Sequence, residues 1–301
     1  MIQTVVRSES RGFAELVIFM PTMETRERPE PFRRRSPAAR LEPYLEFAKK
    51  AFAREATYRM DVFTNIASVL VRVYLLRMLW VALYAQNAAP TGVPLHAMIT
   101  YATVALLMSL VLEIDGTRVI REKVREGTIA TDLMKPISLP FYFFSDGFGS
   151  TAFHALMIFP TLLFALFIVH VDIPSPLAFA AFVLSFAIGY LVNFLLNFLM
   201  NSIAFWTLET FAIQLMVRWV SDLLSGQIIP LIFFPGLLQR IVLDLPFAAI
   251  YSAPLLIYVG VIHPADYART LLVQCVWLAV FSALAFVVWR AASRRVVVQG
   301  G

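Results

Sequence analysis

Charge is scarce in this sequence. Asp, Glu, Lys and Arg make up 15% of the residues and hydrophobic types 59%, whereas soluble domains carry about 25% charged residues. A soluble chain of 301 residues has too much surface to cover with so few charges. A water-soluble globule is therefore excluded, and a multi-span membrane protein is expected. Cysteine is nearly absent: the single Cys275 excludes an internal disulfide and any paired-cysteine metal or redox site. The four histidines, His96, His154, His170 and His263, show no metal-ligand spacing. There is no nucleophile elbow, no HExxH and no carboxylate cluster of DxxD type within an apolar run. The chain thus carries no sign of catalysis of its own. The net charge of +5 does not indicate nucleic-acid binding, because the basic residues sit beside apolar runs. No cleavable signal is expected, since the first apolar patch, FAELVIFM, is short and contains Glu15.

A crossing needs about 20 apolar residues. Six runs qualify, at roughly 63–85, 97–114, 148–171, 177–199, 210–232 and 270–289. The fold class is all-α, polytopic, with a transmembrane domain over 61–295 and a short tail at 296–301. Residues 1–40, rich in Arg and Pro without apolar period, are expected to be a disordered basic tail. Residues 41–60 form an amphipathic pattern: Leu45, Ala48, Phe52 and Ala56 make one stripe, flanked by Tyr44, Phe47 and Ala51, against Glu46, Lys49, Lys50 and Arg54. A basic amphipathic helix directly before a span fits the membrane surface. Lys and Arg concentrate in 1–60, in 118–135 and at Arg290, Arg294 and Arg295, and are missing from 86–96 and 172–176. The positive-inside rule then places both termini and the 115–147 segment in the cytoplasm. The region 228–262, which contains the expected helix pair at 235–258, is too apolar for a solvated loop, and Pro230, Pro235, Pro246 and Pro254 interrupt it too often for one span. It reads as a re-entrant helix pair on the outer side.

The stretch REGTIATDLMKPIS, 125–138, lies between spans two and three. Gly127 suits the end of one helix. Thr128 suits the cap of another over 128–135, with Asp132 near its positive end and Pro136 beyond its stop. Ile129 and Leu133, four apart, share a small apolar face. From residues alone this is either a basic loop that sets topology or a short helix shaped to dock on a partner. Within the membrane, Asn193, Asn197 and Asn201 share one helix face and read either as packing contacts between helices or as a polar stripe on a pathway. Arg218 and Asp222, with Gln214 before them, read either as a self-neutralising pair or as a gating or substrate contact. Arg72 and Arg77 in span one are explained first by snorkelling, Arg77 less easily because it lies deeper. Glu209 is expected at the cytoplasmic mouth of span five.

The order of these features resembles the permease subunit of bacterial ABC exporters of the second type. In that family a segment similar to Glu126-Gly127-Thr128-Ile129, continuing through Asp132, Leu133 and Pro136, is the coupling helix that contacts the ATPase. The later SGQIIPLIFFPGLLQRIVLDLPF is also similar to one branch of the family. The resemblance spans roughly 41–295. It implies an ATP-driven exporter of a lipophilic or amphiphilic substrate in the bacterial plasma membrane, two permeases (identical or related) and two ATPase subunits. The sequence has no GxxxxGK[ST], so this chain is expected to bind no cofactor by that route. ATP and Mg would sit on the partner. The alternative is a stand-alone channel or ion-coupled carrier using the Arg218–Asp222 pair and the Asn stripe, although no internal repeat of broken helices is evident. A lipid-modifying membrane enzyme would want a His or carboxylate cluster at one membrane face, which is missing.

Overall fold

The computed structural model describes residues 37–57, 59–86, 92–112, 116–207 and 210–295. The expected tail falls almost wholly outside the described residues, as do Glu209 and 296–301. The contacts divide the chain into Met1–Glu42 and Pro43–Gly301. Of the first unit only the start of a helix is described.

Helices are the regular elements among the described residues, with no strand among them. The elements are α1 (Pro37–Glu55), α2 (Arg59–Ala85), α3 (Leu95–Leu112), α4 (Arg118–Arg125), α5 (Ile129–Leu133) and α6 (Leu139–Phe164), which runs on as a π turn to Val169. They continue with α7 (Pro176–Ser202), α8 (Phe211–Leu224), α9 (Gly236–Leu243), α10 (Ser252–Tyr258) and α11 (Tyr267–Arg295). Five segments are long and apolar enough to cross a membrane: Ile66–Ala85, Leu95–Leu112, Leu139–Val169, Pro176–Phe205 and Pro264–Arg295. They match five of the six expected runs and establish a polytopic membrane protein.

Two boundaries differ from expectation for identifiable reasons. The third crossing starts at Leu139 and not near 148. Asp146, a charge within the longer helix, is met there by Arg54 at 3.1 Å. Pro140 sits in the first turn, where a missing N–H is harmless. The fifth expected run, 210–232, gives only α8, 14 residues long. That is about 21 Å of helix, short of a hydrocarbon core of about 30 Å. The chain turns after it at Gly226, whose φ of +84° suits glycine. The Tyr101 hydroxyl donates 2.7 Å to the Gly226 carbonyl and holds that turn.

Packing centres on α7. Helix α11 lies along it, α10 packs against it, and α2, α3 and α6 pack against one another. The largest buried cluster takes Val69 and Val73 from α2, Met98 and Met108 from α3, and Val192 from α7. Within 235–258 the structure has two short helices, α9 and α10, joined by a buried turn through Ala248, Ala249 and Ile250. That turn is pinned from α11: Gln274, 1% exposed, donates to the carbonyls of Ala249 (2.7 Å) and Ser185 (3.1 Å), and the Ser185 hydroxyl donates back to it at 2.9 Å.

Helix α1 is amphipathic, but its inward face is turned from the expected one. Leu45 and Ala56 are exposed, while Phe47, Ala51 and Phe52 turn inward, Ala51 fully buried. They meet α6: Phe52 is edge-on to Phe153 at 5.4 Å and Phe47 to Tyr142 at 4.8 Å. The helices touch at Gly149, where a Cβ would come 2.1 Å from the Ala48 carbonyl oxygen.

Candidate functional site

Helix α8 has its faces arranged unlike those of a soluble helix. Gln214, Val217, Ser221 and Asp222 are half-buried, and with Arg218 they form one polar-dominated face. The opposite face, Ile213, Met216, Trp219, Val220 and Leu223, is apolar and exposed, and the helix buries no residue. Such an arrangement is stable where the outside is apolar and the inside holds water or polar ligand.

The polar face of α8 closes a cavity of about 440 Å³. Asn193, Asn197 and Asn201 from α7 form its other wall, and Arg118 and Arg121 from α4 line one end. Leu196, Met200, Phe211 and Leu215 supply apolar lining, with Gln227 and Tyr251 also at the wall. The six residues read as a possible pathway or gate, Asn193, Asn197, Asn201, Gln214, Arg218 and Asp222, therefore share one cavity, whereas Arg72 and Arg77 do not line it.

Hydrogen bonds join most of them. Arg121 Nη1 donates to Gln214 Oε1 at 2.5 Å. Gln214 Nε2 donates to Asn201 Oδ1 at 3.1 Å. Asn201 Nδ2 donates to Thr117 Oγ1 at 2.9 Å and to the Asn197 carbonyl at 3.0 Å. Asn197 Nδ2 donates to Asn193 Oδ1 at 3.4 Å, and Asn193 Nδ2 to the Leu112 carbonyl at 2.6 Å. The asparagine stripe is thus packing contact and cavity wall together: it ties α7 to the end of α3 and to α8 while facing the open space. Arg218 Nε and Asp222 Oδ2 stand 4.0 Å apart, the long limit of an ion pair. Of the span-one arginines, Arg72 is exposed and Arg77 half-buried.

The segment 126–136 is built differently from the sequence picture. Gly127 follows α4 with a φ of +74°, as a helix-ending glycine should. Thr128 makes no side-chain cap; its hydroxyl donates instead to the Lys123 carbonyl at 3.4 Å. Asp132 lies in the first turn of α5, near the helix start as expected, but its carboxylate is taken up by two lysines. It is 5% exposed and holds Lys123 and Lys135, each at 2.5 Å. Burial raises its carboxyl's pKa, but the two lysines outweigh that and hold it below the usual carboxylate range. The Lys135 ammonium is in turn pushed up by Asp132. Ile129 is not an exposed knob. It is 3% exposed, packed with Ile120, Leu139, Phe143 and Phe198, and Leu133 packs beside them. The exposed residues are Glu126, Gly127, Thr128, Thr131, Met134, Lys135 and Pro136, with Met134 at 85%. Apolar burial won because the segment lies against α4, α6 and α7, whose Ile120, Phe143 and Phe198 needed cover.

The family model described as ABC-2 family transporter protein matches residues 70–300. The chain belongs to the ABC-2 transporter family. Neither a curated protein nor a solved structure matches it. As a family member it is a multi-pass membrane transport permease, a subunit type that works with ABC ATPase partners. The family match covers the cavity, the 126–136 segment and all the candidate crossings except the first few residues of Ile66–Ala85, while α1 and the first part of α2 precede it.

Arg118, Arg121, Gln227 and Tyr251 were missed as cavity residues. Arg118 and Arg121, three apart on one helix face, carried a signal, but positive charge beside a span is explained equally well by topology. Gln227 and Tyr251 reach the cavity only through the turns that follow α8 and precede α10, which no local pattern reveals.

Proposed function

We propose that this chain is the membrane subunit of an ATP-driven exporter, with the α7–α8 cavity on the substrate path. The observation that carries the proposal is the inside-out face pattern of α8 around a polar cavity, in a chain of ABC-2 family sequence. ATP and Mg belong to a separate ATPase subunit, since the sequence has no P-loop. Two permease copies and two ATPases form the working assembly in the bacterial plasma membrane, with both termini cytoplasmic. Helix α8 and the turn beyond it serve as the fifth of six crossings, and α9 and α10 form an outer re-entrant lid. The basic α4–α5 segment takes the push from the ATPase, with α1 beside it. ATP binding then favours one gate state through contacts that differ between the states. The substrate is lipophilic or amphiphilic.

Exposed Met134 is the apolar contact available to an ATPase groove, whereas Ile129 already packs inside the permease. Met134→Asp should leave the purified protein's melting temperature unchanged and cut substrate-dependent ATP turnover of the assembled complex about tenfold or more. Full turnover and transport in that variant would refute the coupling role of α5.

The second reading, a carrier or channel working alone, draws on the Arg218–Asp222 pair standing in the cavity. It predicts transport by vesicles that hold this chain and no ATPase.

A further inference from the structure

The charge of the cavity is unbalanced. Among the described residues its wall holds three arginines, Arg118, Arg121 and Arg218, and one carboxylate, Asp222. Arg118 is engaged by Glu122 at 3.3 Å, and Arg218 faces Asp222. Arg121 differs from both. It donates to the neutral amide oxygen of Gln214, and no carboxylate among the described residues lies within ion-pair distance of it. A guanidinium carries five N–H donors, so a bond to one amide leaves its charge unmatched and donors available. A half-buried charge beside apolar surface is costly without a counter-ion, and an oxyanion placed there would lower that cost. The planar fork of Arg also matches phosphate, sulfate or carboxylate in two-point contact.

The rest of the wall asks for something other than a free anion. Leu196, Met200, Phe211 and Leu215 line the same space. Phe211 and Leu215 are 67% and 44% exposed, and they lead round α8 to exposed Trp219 and the apolar outer face. A ligand held by its head at Arg121 therefore has an apolar track for a chain. The volume, about 440 Å³, lies in the range of small-ligand pockets of roughly 300–1,000 Å³, enough for a headgroup and the start of a chain.

We propose that the cavity binds the anionic headgroup of an amphiphile, with Arg121 as its main charge partner and Arg218 as a second. This rests on the cavity being the substrate site of the transport reading and adds the class of substrate. Neutral lipophiles and cations lack the group that would match Arg121.

The test uses the full chain, purified with its ATPase in a neutral maltoside detergent and titrated with three probes. These are dihexanoyl phosphatidic acid, dihexanoyl phosphatidylcholine and inorganic phosphate. The phosphatidic acid should bind saturably and about tenfold or more tighter than either other probe, since a charge-assisted hydrogen bond supplies that much. Arg121→Gln should weaken it roughly tenfold. Arg218→Gln, at a largely exposed side chain that does not threaten folding, should weaken it roughly threefold or more. Arg240→Gln, outside the cavity, should leave it unchanged. Equal binding of the phosphatidylcholine would overturn the proposal, as would inorganic phosphate binding as tightly as the phosphatidic acid. So would wild-type affinity in both Arg121→Gln and Arg218→Gln. The transport reading is scored separately on the same preparation: a stoichiometric ATPase with no anion selectivity sinks only the headgroup proposal. Selectivity without an ATPase upholds the headgroup site and counts against the exporter.

Discussion

At the residue scale, Asp132 is the position on which the α4–α5 segment turns. One buried carboxylate joins Lys123 on α4 to Lys135 beyond α5. Removing it strands two ammonium groups that were arranged around it. Asp132→Ala should cost roughly 2 kcal/mol, the scale of hydrogen bonds to charged groups, seen as a drop of about 4 °C in the melting temperature at pH 7. The pH dependence follows from the shifts. The Asp132 carboxyl is lower when folded, so its contribution is present above its unfolded pKa of about 3.9 and fades as pH falls through the folded value. Lys135 is shifted upward, so its contribution holds below about pH 10.4 and fades as pH rises through the folded value. Wild type and Asp132→Ala should therefore converge as the pH drops below about 4. A gap that stays constant down to pH 3 would contradict this role. The sequence placed Asp132 in the first turn of the short helix, where it lies, but not between its two lysine partners. A four-residue spacing cannot show that Lys123, on the preceding helix, comes back to meet it.

At the element scale, α1 and α8 show what periodicity can and cannot convey. The amphipathic character of α1 was legible, and a membrane-surface helix was the natural inference. Its partner was not legible, because the contact depends on a glycine in a distant helix: Gly149 lets the Ala48 backbone approach, and Asp146 and Ser150 receive Arg54 at 3.1 and 3.2 Å. Gly149→Leu should push α1 off α6. Trypsin cleavage after Arg54 should then speed up about tenfold or more, as expected when a docked helix opens freely. An unchanged cleavage rate would show that α1 is held by something other than this contact. Helix α8 is the converse case. Its polar positions were noticed one by one, as an Arg–Asp pair and a nearby Gln, yet their common face becomes meaningful only beside the α7 asparagines. Its length was misjudged because the apolar run continues past residue 224, while Gly226 and Tyr101 turn the backbone there.

For the whole molecule, composition settled most of the architecture: so few charges over 301 residues leave only a membrane protein, and five of the expected runs are long apolar helices. The order of motifs pointed to the ABC-2 family, which residues 70–300 match. The cavity was less legible, since its walls come from α4, α7, α8 and the turn before α10, parts whose meeting is set by tertiary packing and not by local pattern. The central claim is that this permease is driven by a partner, and affinity purification in mild detergent with mass spectrometry of the co-purifying chains tests it most directly. The account predicts a stoichiometric cytoplasmic protein with a P-loop, and Mg-ATP hydrolysis by the complex. A chain that purifies without any ATPase at low and high salt alike would contradict it.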